Sequence, residues 1–381
     1  MGKIYTALGL MSGTSLDGVD VSIIESDGDR EYSSILDRYF KYDQKLVNNI
    51  LKIREKISTL KDYNLHLDEI KILEKEITLF QFKAVNECLK NSKSLVDLIG
   101  FHGQTIFHNP DEKITKQLGD GKLLSQLSKK KVVYNFRQND LENGGQGAPL
   151  TPIFHNVIAN KLNKKFNLGF PINILNIGGI ANITATVEDK SLWGKEKIYA
   201  YDIGPGNCLI DEWIRKNSDE KYDKEGTIAK SGKTDILILN QALDNFNISS
   251  NYQKSLDIKD FNIFFAKGLS LENGAATITD FTAKLIADGM NYVHNKDQNL
   301  DCKWLVCGGG RKNKYLLEAI KNNFKKLNID LIDNYEVDGD FIESQAFAFL
   351  AIRSLRGMPI SFPTTTRCEK SITGGVIVKN F

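Results

Sequence analysis

A duplicated α/β fold, with two lobes holding a ligand between them, is what this sequence predicts, on three observations. First, the chain opens with a strand, a glycine-bearing turn and a second strand (3–11 and 17–26 around Gly13-Thr14-Ser15), and the same pattern returns at 173–187 around Gly178-Gly179. Second, stretches with helical apolar spacing separate the strand-like runs, as layered α/β domains require. Third, the 381 residues are 41% hydrophobic and 26% charged, ordinary for a globular chain long enough for two cores.

Residues 3–11 (KIYTALGLM) read as a buried strand and 17–26 (DGVDVSIIES) as its hairpin partner. From about 41 to 95, Leu46, Ile50 and Ile53, then Leu73, Ile77, Phe80 and Phe82, give two helices. A short apolar strand at 95–101 runs into His102-Gly103-Gln104-Thr105. Another at 131–136 ends at Arg137-Gln138-Asn139-Asp140, and Lys129-Lys130-Lys131 before it reads as a solvated helix end. Strands at 173–177 and 181–187 form the second hairpin, and a strand at 198–203 is closed by Gly204-Pro205-Gly206. Helices follow at 208–215 and 274–294, a strand at 304–307 enters Gly308-Gly309-Gly310, and 343–356 is a final helix.

Composition removes several functions. Fifty Lys and Arg against 48 Asp and Glu leave a net charge of +2, without the basic excess of a nucleic-acid binder. Five scattered cysteines include no C-x-x-C pair, which argues against a disulfide framework and for a reducing compartment. No apolar run approaches the ~18 residues of a membrane span. The run 4–11 lacks a cleavage site after it, and Gly2, which fits a loose myristoylation pattern, directly precedes a core strand. A cytoplasmic protein with no membrane partner is expected.

The strongest chemical signal is Met11 through Asp20 (MSGTSLDGVD). Gly13, Thr14, Ser15, Leu16, Asp17, Gly18, Val19 and Asp20 combine small residues that admit an anion, hydroxyl donors, and acids able to hold a hydrated cation, Asp17 foremost. A plain hairpin needs the glycines but not the rest, so phosphate binding is favoured. Gly178 and Gly179 offer a second clamp, and Gly308, Gly309 and Gly310 a third, for which a helix-entry turn is an equal reading. Asp202, at a strand end beside Gly204-Pro205-Gly206, reads equally as a catalytic carboxylate and as a helix cap. His102, Gln104 and Thr105 carry hydrogen-bonding groups suited to a sugar, with a structural histidine as the competitor. Two decoys fail: 226–234 has five residues between its glycines where a P-loop has four, and Gly204-x-Gly206 lacks the third glycine of a dinucleotide fingerprint.

These blocks resemble the anhydro-N-acetylmuramic acid kinases: GLMSGTSLDGVD (9–20), HGQTIFH (102–108), FRQNDLENGGQGAPLTP (136–152), NIGGIANIT (176–184), YDIGPGNCLIDEW (201–213), VCGGGRKN (306–313) and IESQAFAFLA (342–351). They occur in the family's order across essentially the whole chain. The resemblance implies the two-lobed actin/hexokinase-like ATPase fold, a duplicated ribonuclease H-like architecture with a cleft. It implies a first lobe at 1–140 plus 350–381 (sugar and phosphate loop) and a second at 141–349 (nucleotide and catalytic base). It implies ATP with Mg²⁺, and a reaction in which ATP and water convert 1,6-anhydro-N-acetylmuramate to N-acetylmuramate 6-phosphate in peptidoglycan recycling. By the same resemblance Asp202 is the general base, Glu343 lies by the sugar, and the three glycine turns hold the nucleotide. Asp140, closing the Phe136-Arg137 strand, is a further substrate-binding candidate and the reserve base.

Three positions depart from the family pattern: Asn135 where Asp is usual, 254–259 (KSLDIK) where K-S-T-G-R-E is common, and Arg367 where Gly is frequent. None of them is expected to touch the residues assigned to chemistry. Two rivals share the loops: an ordinary sugar or acyl kinase that needs no water, and an ATP-driven switch like actin or the chaperones. Only 25 residues follow the last helix, too few for the partner-binding domain such switches carry. Oligomeric state stays open, a homodimer included.

Overall fold

Tyr5–Ser12 (β1) and Gly18–Ser26 (β2) pair antiparallel, with Tyr5 opposite Ser26 and Met11 opposite Asp20. They belong to a computed structural model that describes residues 2–13, 15–188, 197–246, 252, 254–296, 301–324 and 328–381. The chain divides into two compact units, Met1–Val157 with Phe341–Phe381, and Ile158–Asp340.

In the first unit, Tyr32–Lys41 (β3), Leu98–Asn109 (β4), Ile114–Leu118 (β5), Lys131–Tyr134 (β6) and a late strand join the hairpin; the late strand, Val376–Val378, is β12 in chain order. The sheet order is β12-β6-β4-β1-β2-β3, with β5 paired to β4. β4 runs parallel to both β1 and β6, while β2 runs antiparallel to its neighbours. The helix Ile342–Leu355 buries nearly its whole length against this sheet. Glycine permits that approach: a Cβ on Gly9 would fall 1.9 Å from the Ser344 carbonyl oxygen, and one on Gly100 2.1 Å from that of Phe347. On this unit's other core, Ile50, Ile53, Leu73 and Ile77 meet the sheet residues Leu8, Leu10 and Ile99.

The second unit repeats the plan. Ile172–Ile177 (β7), Ile180–Ala185 (β8), Tyr199–Pro205 (β9), Lys303–Cys307 (β10) and Asn328–Leu331 (β11) lie in the order β11-β10-β7-β8-β9. β7 is antiparallel to β8 and parallel to β10, as β1 is to β2 and β4. Each unit therefore carries the same order and sense of five strands, the duplicated α/β topology expected from the repeated strand–glycine–strand pattern. The long helix Leu271–Lys296 is this unit's buried spine, packed with Trp213, Ile203, Trp304 and Ile320 in one apolar cluster.

Where the expected elements differ, local chemistry explains it. The span 41–95 holds three helices, Gln44–Lys56, Leu60–Leu65 and Leu67–Asn91, because a Thr59/Asp62 capping box starts a new helix inside it. Lys129 closes the helix Gly121–Ser128 in a left-handed conformation, so the lysine run begins as a helix end, while its last member, Lys131, already belongs to β6. The departures Asn135 (φ 55°) and Arg367 (φ 68°) also occupy left-handed backbone. Asn is the non-glycine residue that best tolerates it. No helix among the described residues is long and apolar enough to cross a membrane.

Candidate active site

In the first unit, the candidate residues gather at the ends of β1, β4 and β6. Leu16 and Val19 anchor the β1–β2 turn by burying their side chains in the core, while Ser15 and Asp17 stay exposed. The Ser15 hydroxyl donates to Asp17 Oδ1 at 2.5 Å. The Asp17 carbonyl accepts from the Tyr42 amide (2.9 Å) and the Tyr39 hydroxyl (2.8 Å), which fixes the turn's exit. Asp20 follows on β2, half-buried. Thr14 lies outside the described residues.

Parallel pairing of β1 and β4 brings two distant motifs together, with Ser12 in register with Gln104. Gln104 is fully buried, and its Nε2 donates to the Gly13 carbonyl at 3.0 Å. Gln81 Nε2 donates to Ser12 Oγ (3.1 Å) and to the Tyr42 hydroxyl (2.9 Å). Burial pushes that phenol up to about 12, so it is a neutral hydroxyl under the turn. Thr105 is half-buried and accepts from Gln117 Nε2 at 3.3 Å.

His102 is engaged at both ring nitrogens. Its Nδ1–H donates to the Gly103 carbonyl at 2.8 Å, and its Nε2 accepts from Arg137 Nε (3.1 Å) and Nη2 (2.9 Å). Burial, and next the Arg137 charge, hold its pKa well below the ordinary imidazole value. A neutral imidazole therefore aims a guanidinium, whose Nη1 also donates to the Gly147 carbonyl at 2.8 Å. Residue pattern alone does not mark Arg137; its place three residues beyond the end of β6 is the signal that could have found it. Asp140 is almost fully buried, with Oδ2 accepting from the Gly147 amide (2.7 Å) and Oδ1 from the Thr366 hydroxyl (2.6 Å). It ties the 144–147 loop to the 362–368 segment. Glu343 sits half-buried in the first turn of Ile342–Leu355. Beside it, Ser344 and Ser22 share a 2.6 Å hydrogen bond.

In the second unit, the candidate residues lie on two turns and one carboxylate. The β7–β8 turn is gripped by the segment after β9: the Gly206 amide donates to the Gly179 carbonyl (2.9 Å) and the Asn207 amide to that of Gly178 (2.8 Å). The turn after β10 is closed by the Arg311 amide on the Gly308 carbonyl (3.2 Å), and leads into the helix Lys314–Asn323. The Arg311 side chain locks it from behind, with Nε and Nη2 on Asp333 (2.7 and 2.8 Å) and Nη1 on Asp340 (2.5 Å).

Three glycines in these turns have no folding reason to be glycine. A Cβ added at Gly13 would meet only Ser15 Oγ, at 3.6 Å. At Gly178 the nearest atom would be the Ile180 carbonyl oxygen at 3.5 Å, and at Gly309 the Asn207 Nδ2 at 3.8 Å. None of the three has positive φ. By contrast Gly308 has φ 78°, and a Cβ on Gly310 would strike Ile177 at 2.3 Å.

Asp202 lies within β9, 8% exposed. Its Oδ2 accepts from the Leu256 amide at 2.9 Å and from the Ser255 hydroxyl at 3.2 Å. The helix-cap reading is thereby excluded: the helix Cys208–Asn217 has Asn207 at its N-cap, with no side-chain cap bond. The expectation that 254–259 avoids the chemical residues is also corrected, because that segment supplies both of these donors.

A family model described as anhydro-N-acetylmuramic acid kinase matches residues 5–380. The chain belongs to the anhydro-N-acetylmuramic acid kinase family. A Pelagibacter ubique protein named anhydro-N-acetylmuramic acid kinase is 53% identical over 383 residues, covering all of both chains. One from Agrobacterium fabrum is 35% identical over 384 residues, again covering both in full. Among solved structures, the chain is similar to a ROK family glucokinase from Streptomyces griseus in complex with glucose and AMPPNP. That alignment has 12% identity, covers 91% of this chain and 98% of the other, and has a TM-score of 0.38. As a member of this kinase family, the chain is an ATP-using enzyme built on a duplicated α/β topology.

Proposed function

We propose that this kinase uses ATP and water to open the 1,6-anhydro bridge of anhydro-N-acetylmuramic acid and to phosphorylate O6, giving N-acetylmuramate 6-phosphate and ADP. The observation that carries the reading is the trio Gly13, Gly178 and Gly309, whose lack of a side chain answers to neither φ nor packing. Close approach of backbone amides to phosphate accounts for each of the three.

In the substrate O6 is bound to C1 and is not a free hydroxyl. The water oxygen bonds to C1 as the C1–O6 bond breaks; O6 bonds to the γ-phosphorus as ADP leaves. Asp202 takes the proton that water loses, as general base. Glu343 and Thr105 reach the sugar. His102 acts through Arg137, which supplies fixed positive charge, and Asp140 holds the loop that Arg137 grips. The exposed Asp17 fits Mg²⁺ carried mainly by nucleotide phosphates, since that ion takes one or two carboxylates beside phosphate oxygens. Among the described residues no cluster of three or more His, Cys, Asp or Glu side chains could cage a metal. When bound, the ion neutralises phosphate charge.

The reaction places the enzyme in peptidoglycan amino-sugar recycling, on the cytoplasmic side where ATP is found. Asp202→Asn preserves size and most hydrogen bonding but cannot take the proton. Turnover of the anhydro-sugar should fall roughly 10²–10⁴-fold with ATP and sugar binding nearly unchanged. Turnover within a few-fold of wild type would place the base elsewhere.

A further inference from the structure

Two donors to Asp202 Oδ2 come from consecutive residues of a braced segment. Before it, the Tyr252 ring lies against Tyr292 of the long helix, with centroids 4.9 Å apart. Within it, the Leu256 side chain packs on the second unit's core. After it, a capping box closes the next turn: the Asp257 amide donates to Asp260 Oδ2 (2.7 Å) and the Lys259 amide to Asp257 Oδ1 (3.0 Å). The Ser255 hydroxyl and the Leu256 amide therefore reach Asp202 Oδ2 from a fixed direction.

We propose that Ser255, together with the Leu256 amide, is the positioning element of the base. This rests on the reading of Asp202 as the group that takes water's proton. The terminal torsion of an aspartate is soft, and a carboxylate held by a single donor samples many orientations. Two donors on one oxygen set the carboxylate plane, so water is met in one geometry, and geometry of that kind controls the rate more than binding. Ser255 keeps its own proton throughout. Water gives its proton to the Asp202 carboxylate as its oxygen bonds to C1.

The test is a double-mutant cycle on the intact enzyme with Mg-ATP and anhydro-sugar, reading kcat and KM separately. Ser255→Ala should lower kcat about tenfold or more, the size expected for losing a hydrogen bond to a charged group, with both KM values little changed. Ser255→Thr, which retains the hydroxyl, should restore most of the lost kcat. Placed in Asp202→Asn, Ser255→Ala should cause no further loss, because the group it positions no longer takes a proton. Wild-type kcat in Ser255→Ala overturns the positioning role, and so does a loss of full size in the Asp202→Asn background. If Asp202→Asn alone keeps near-wild-type kcat, the base assignment fails and the positioning role falls with it. If Asp202→Asn is crippled while Ser255→Ala is not, only the positioning role falls.

Discussion

Gly13 and Gly18 bracket one turn and are glycine for opposite reasons. At Gly18 an added Cβ would lie 2.3 Å from the Phe40 carbonyl oxygen, so the fold itself forbids a side chain. At Gly13 the fold is indifferent. Gly13→Ala should therefore melt like wild type, within the ~0.5 kcal/mol typical of neutral substitutions. Its ATP affinity in calorimetry should fall about tenfold or more, if a charge-assisted amide–phosphate contact is blocked. Unchanged ATP affinity would remove the turn from the nucleotide site. The sequence revealed the turn because hydroxyls, glycines and acids crowd into ten positions. It could not separate the two glycines, since that distinction lies in Phe40, which only folding brings near. Asp202 was half-legible: the strand was visible, but Asp202 sits in the middle of β9 rather than at its end, and its partners Ser255 and Leu256 lie more than 50 residues downstream.

At the scale of elements, both glycine hairpins were legible because β1, β2, β7 and β8 are apolar runs broken by glycine. β3 was not read, because as an edge strand it exposes most of its residues and shows little apolar alternation. β5, β11 and β12 are three to five residues long, too short for periodicity to register. β4 and the helix Pro152–Phe166 carry a further consequence, three histidines held neutral, His102 and His155 buried and His108 half-buried. Burial, then Arg137, holds His102 well below its ordinary value; the same two causes lower His108 to about 4, and burial lowers His155 to about 3. In the unfolded chain all three protonate near pH ~6.5. Their folded pKa values are depressed, so their stabilisation is complete above pH ~6.5 and is lost as pH falls toward the folded values. Each costs about 1.4 kcal/mol per pH unit within its window. Thermal melts should show the midpoint dropping steadily from pH 7 to pH 5. A flat midpoint over that range would mean that these histidines charge in place.

Across the whole molecule, the decisive feature is the duplication. Each unit sets a glycine hairpin at the start of its sheet and a parallel strand beside it. That much was legible, because a strand–glycine–strand pattern seen twice needs no tertiary knowledge. The convergence of His102, Arg137, Gly147, Asp140 and Thr366 was not, because it follows from strand order rather than from spacing. What separates the proposed chemistry from an ordinary sugar kinase is water. Incubation of the enzyme with Mg-ATP and 1,6-anhydro-N-acetylmuramic acid in ¹⁸O-water, with early-time mass analysis before anomeric exchange, reads that difference directly. One ¹⁸O at C1 of the sugar 6-phosphate, formed in step with ADP, is the expected result; a phosphorylated sugar free of label would contradict it.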